Sequence, residues 1–218
     1  MSLALVGISQ AQETDSAIPQ GKITPAQIKV FEGSKVDLSW KISYPPTSLP
    51  PQVDTKVTVR FITCAIGPRW RLQFGTAVNG EYTEFYHGFS EEHPSYALTP
   101  GTVVSETFLS HTKSIEFRAK HEASRVRGQW ISSIDPAQEQ QIIKLKNGDK
   151  VPSVAPVRGQ RSVADILAPY SKNGVINISD TQEILLFELY TSDTRHFGFD
   201  LQDLVLLVSY EQVDVAKK

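Results

Sequence analysis

Cysteine is nearly missing from this chain. Cys64 stands alone among 218 residues, which excludes an intramolecular disulfide and every cysteine-based zinc motif, so the core itself must stabilise the fold. Its place at the end of an apolar run makes it a small buried hydrophobe rather than a reactive thiol. A charge excess is missing too, because 22 basic and 24 acidic residues leave a net charge of -2. With no long run of like charge, nothing draws a phosphate backbone, and nucleic acid is an improbable partner. No apolar run reaches the ~18 residues that a transmembrane helix needs. Catalytic signatures are missing as well: no G-x-S-x-G occurs, and His87, His93, His111, His121 and His196 form no HxH, HExxH or i,i+4 pair.

What is present is apolar alternation. Val36, Leu38, Trp40, Ile42 and Tyr44 alternate with polar residues, the period-2 signature of a strand with one buried face. That strand ends at "YPPTSLPP", whose prolines force an extended surface connection. Val57, Val59 and Phe61 alternate with Thr58 and Arg60, and Trp70, Leu72 and Phe74 with Arg71 and Gln73. Asn79-Gly80 between two such runs predicts a hairpin, since both residues accept positive φ. Strands are also expected at Val103 to Leu109, Ser114 to Lys120 and around Trp130 to Ser133. Asn147-Gly148 predicts a second hairpin, and Asp135-Pro136 a short helical turn.

One helix is expected, at "SVADILAPY". Ser162 can cap it with Asp165 completing a capping box, while Val163, Ile166, Leu167 and Tyr170 share a face. Pro169 limits it to about two turns. After a turn at Asn173-Gly174, "GVINIS", "EILLFELY" and "DLVLLVSY" read as strands, the last two so uniformly apolar that both of their faces must be covered. Roughly ten strands with one short helix near 163–169 predict an all-β protein, an antiparallel sandwich or jelly-roll-like single domain. That domain spans 26–218. Residues 1–25 form an N-terminal arm or the remnant of a signal segment: "LALVGISQAQE" is either the end of a secretory leader lacking its basic start or an apolar strand kept in the mature protein.

Two groups of residues are candidates for a site. Asp193, Asp200 and Asp203, preceded by Glu188, crowd the approach to the last strand, and calcium takes its oxygens from such carboxylates. Over about ten residues and without a specific spacing motif, this acidic loop is similar to the acidic strand-entry loops of some calcium-dependent secreted β-sandwich modules of bacteria. The alternative is purely local: Asp193 makes an Asx-turn, Asp200 caps the turn into the strand, and Asp203 faces solvent, paired with Arg195. Trp70, Arg71, Tyr82 and Tyr86 are the ligand-binding candidates, because arginines flank Trp70 and the tyrosines lie near a hairpin tip where they can stack on a sugar or a partner. Core packing is the competing role for those aromatics.

These features favour a non-enzymatic binding or surface module, secreted, periplasmic or on the cell surface, with calcium as its stabilising ion and a glycan or protein surface as its ligand. Two other readings stand beside it. One is a structural subunit that self-assembles into a fibre or coat by exchanging its N-terminal strand. The other is a carbohydrate-active hydrolase or lyase on a jelly roll, which needs paired carboxylates in an aromatic cleft.

Overall fold

The structure, a computed structural model, describes residues 53–66, 70–89, 98–123, 126–157 and 159–213. The expected strand over 36–44, the N-terminal arm, the proline-rich connection, Arg69 before Trp70, and His93 lie outside them.

Alternation becomes strand wherever it is regular. β1 (Thr55–Thr63), β2 (Arg71–Val78), β3 (Glu81–Phe89), β4 (Val103–Leu109) and β5 (Ile115–Ala123) follow the expected runs. Short strands β6 (Val126–Arg127), β7 (Ile131–Ser132) and β8 (Ile142–Leu145) come next. After the helix α1 (Val163–Leu167) come a two-residue pair, β9 (Ser171–Lys172) and β10 (Val175–Ile176), then β11 (Gln182–Phe187) and β12 (Leu204–Gln212). One antiparallel sheet has the order β4-β1-β12-β11-β8, and a second the order β3-β2-β5-β6 with β7 also on β5. Val57, Val59 and Phe61 of the first sheet pack with Leu72, Phe74 and Phe117 of the second in one apolar cluster, so the two sheets form a sandwich. Cys64 is buried in the same cluster.

The uniformly apolar strands are covered on both faces, as their composition requires. Leu185, Phe187, Leu204 and Leu206 enter the core between the sheets. Ile184, Leu186, Val205 and Leu207 face the other way, against Val163, Ile166 and Leu167 of α1. The Ser162 hydroxyl accepts from the Asp165 amide at 3.1 Å while Asp165 reaches back to the Ser162 amide at 3.2 Å, closing the capping box. A 3-10 turn containing Pro169 ends the helix. Ser162→Ala should therefore destabilise the protein by about 1 kcal/mol, read as a lower urea midpoint at unchanged slope.

Two turns form as expected and one does not. Asn79 and Gly80 both adopt positive φ, 51° and 88°, and Val78 pairs with Glu81 across them. Asn173 and Gly174 do the same between β9 and β10. At 147–148 only Gly148 is left-handed, so the primed hairpin geometry is missing and no strand returns along β8. The turn docks sideways instead: the Gly148 amide donates to the Ile176 carbonyl, and the Asn147 side chain donates to Asp180 at 2.9 Å. Lys150 bridges to Val175. β8 takes β11 as its neighbour, a partner some forty residues away that turn chemistry cannot announce.

Candidate functional site

β11 delivers Glu188 to a fully buried position just beyond its last residue. A buried carboxylate must find donors, and this one finds four main-chain N–H groups. Oε1 accepts from Tyr190 and Thr191 at 3.1 and 3.2 Å, and Oε2 from Asp200 and Leu201 at 2.9 and 3.3 Å. Both ends of the loop between β11 and β12 are thereby tied to one side chain. Leu201 is held at φ +60°, an unusual conformation for a branched apolar residue and a strain of order 1–3 kcal/mol that the hydrogen bond from its amide to Glu188 helps to hold.

Asp203 and Asp200 complete the neck of the loop. Asp203 Oδ2 accepts from the Leu189 amide at 2.6 Å, and Asp200 accepts from the Gln202 amide and side chain at 3.2 and 3.0 Å. Burial is the first cause that raises all three carboxyl pKa values, with backbone donors opposing it at each. Asp203 is displaced furthest in kind, well above the usual range, because the Glu188 charge adds to its burial. The solvent-facing Asp203 expected from the sequence is corrected here: it is buried, and Arg195 pairs with Asp193 instead, at 3.6 Å.

Asp193 makes the expected Asx-turn, accepting from the Arg195 amide at 3.0 Å, and is exposed. Among the described residues no three His, Cys, Asp or Glu side chains are arranged to hold a metal ion, so Asp193, Asp200 and Asp203 are not brought together as one calcium ligand set. Asp193 is exposed while Asp200 and Asp203 are buried, and one oxygen of each already accepts from a main-chain N–H group.

Above the neck the loop carries rings. Tyr190 lies 5.4 Å from Trp70 and 5.4 Å from His196, and His196 lies 4.4 Å from Phe197. Trp70 in turn stacks on His121 at 4.6 Å with 19° between the planes. Phe197 is 82% and Tyr190 47% exposed. The backbone beneath them is tight: His196 Nδ1 accepts from the Gly198 amide at 3.1 Å, and a Cβ on Gly198 would sit 3.1 Å from the Tyr190 ring. His121 is buried, and burial lowers its pKa against the pull of the Leu189 carbonyl, which favours the neutral imidazole. Its Nδ1 has no hydrogen-bond partner among the described residues.

The four ligand-binding candidates fall in different places. Trp70 belongs to the aromatic row. Tyr86 turns inward and packs on Phe74 at 5.9 Å, the core role that competed with binding. Arg71 is exposed on β2, on the face of the second sheet turned away from the core, and Tyr82 lies across β2 on that same face, edge-on to Trp130 at 5.1 Å. Lys120 covers Trp130 at 4.8 Å to the ring centre. Tyr190, His196, Phe197 and His121 were not singled out as ligand-binding residues. The available signal was "HFGF", an aromatic-rich segment placed between two strands whose apolar faces were already accounted for.

No helix among the described residues is long and apolar enough to cross a membrane. Comparison with protein-family models, with curated proteins and with solved structures gives no match to this chain.

Proposed function

We propose that this sandwich is a non-enzymatic binding module whose ligand is a carbohydrate, engaged by Trp70, Tyr190, His196 and Phe197, and that it works in a secreted, periplasmic or cell-surface setting. The observation that carries the reading is the row itself: Tyr190 and Phe197 are exposed beside the half-buried Trp70 and His196, and the loop that carries Tyr190, His196 and Phe197 is tied at both ends by one buried carboxylate. Exposed aromatic clusters mark interaction sites, and the negative face of a ring suits the polarised C–H face of a pyranose. Rings held in place also lose little conformational freedom on binding. The carboxylates beneath them serve the loop, since each is buried and bonded to backbone, which disfavours a hydrolytic role.

The test is titration of the purified protein with a panel of soluble oligosaccharides, followed by intrinsic fluorescence and calorimetry. At least one glycan should bind, and the double variant Tyr190→Ala, Phe197→Ala should weaken it at least tenfold while thermal stability hardly changes, because both side chains are exposed. Absence of binding across the panel, or equal affinity in the variant, would overturn the reading.

A further inference from the structure

Glu188, Asp200 and Asp203 are all buried at the neck of the loop, and among the described residues no lysine or arginine forms an ion pair with any of them. The titratable and charged groups around them can be followed element by element. β11 contributes Glu188, the start of β12 contributes Asp203, and the loop contributes Asp200 and Tyr190. From β5 comes His121, whose charged form burial disfavours and which is set against the Leu189 carbonyl. The segment before α1 and the turn before β8 contribute uncharged Gln160 and Gln141, the latter bonded to the main chain of Glu188.

The donors are unequally shared. Both Glu188 oxygens accept from main-chain amides, which favours its ionised form, whereas Asp203 accepts from the Leu189 amide through Oδ2, and the antiparallel register that pairs Phe187 with Leu204 sets Asp203 opposite Glu188. Two ionised carboxylates cannot share such a place, and one proton between them turns repulsion into a charge-assisted O–H···O bond.

We propose that this neck is a proton latch: Asp203 is held as a neutral acid that donates its proton to the Glu188 carboxylate, and loss of that proton frees the 188–203 loop and dismantles the aromatic row. On release the proton passes to water, leaving adjacent buried negative charges that can separate only if the loop moves outward into solvent. The direction of the Asp203 shift agrees with the latch. Its consequence for a ligand rests on the carbohydrate reading above; the latch itself does not. Glycan affinity would then fall as pH rises, the opposite of the behaviour of a site that depends on an ionised surface carboxylate.

Hydrogen exchange on the full chain, without ligand, tests the latch. Protection of the peptide covering 188–203, corrected for the intrinsic pH dependence of exchange, should fall at least tenfold as pH rises, while β1 and β12 keep theirs and far-UV circular dichroism is unchanged. Asp203→Asn, whose amide can donate to Glu188 and still accept from Leu189, should keep its protection across the same range. An infrared carboxylic-acid band, read in the Glu183→Gln background so that Glu183 contributes nothing, should vanish at the pH where wild-type protection is lost. Unchanged wild-type protection, an Asp203→Asn variant that loses protection as the wild type does, or no such band would each overturn the latch. If the latch holds but glycan affinity is flat across the transition, the placement of the ligand on the row is overturned instead.

Discussion

Glu188→Ala is expected to lower the unfolding free energy by about 4 kcal/mol, a loss large enough to threaten folding itself. Four main-chain donors, those of Tyr190, Thr191, Asp200 and Leu201, lose their acceptor at once. A buried unpaired donor costs roughly 1–3 kcal/mol, and the low end applies because alanine leaves room for water to reach some of them. Relief of the Glu188–Asp203 contact offsets part of the loss. Glutamine is not a rescue: its carbonyl can serve two of the donors, but its NH2 group confronts the other two. Denaturant unfolding of wild type, Glu188→Ala and Glu188→Gln checks this, and a loss below about 1 kcal/mol for alanine would mean that the loop does not depend on this anchor.

The anchor also shows where sequence reasoning ends. Alternation made β1, β2, β4 and β5 legible because burial on one face is written into residue order every second position. The covered faces of β11 and β12 were legible for a related reason, since a strand apolar on both sides has no other place to go. Asp203 was misread because an aspartate before a strand looks the same whether it meets water or Glu188; only the fold brings the two together. The donors that satisfy Glu188 are main-chain groups, and those carry no residue code. The 147–148 turn failed for a similar reason: Asn-Gly permits a hairpin, but docking onto Ile176 and Asp180 decided the geometry. The aromatic row depends on Trp70, His121 and Tyr190 arriving from three distant segments, which no spacing rule links.

Glu183 is a case in which parity was available and its consequence is measurable. It shares the inward parity of Leu185 and Phe187, and it is buried, with Tyr210 donating to Oε1 at 2.7 Å and Oε2 unpartnered among the described residues. Burial raises its pKa from 4.5 to about 7, against the Tyr210 bond and the charges of Lys144 and Lys146. A carboxyl whose pKa rises on folding takes up a proton as the chain folds, so its favourable contribution is complete below the unfolded value of 4.5 and is lost as pH climbs through about 7. The loss amounts to about 3 kcal/mol.

Glu183→Gln holds the neutral form permanently, so its advantage over wild type should be small near about pH 5 and approach about 3 kcal/mol near about pH 8. Glu188, Asp200 and Asp203 add slopes of the same sign and His121 one of the opposite sign, but all four act in both proteins and cancel in the difference. A pH-independent difference in stability would show that Glu183 does not titrate in this window. Tyr210→Phe supplies the complementary shift: deleting the hydroxyl removes a bond that favours the carboxylate, so the pH at which stability declines should move upward, even as the lost hydrogen bond costs about 1 kcal/mol throughout.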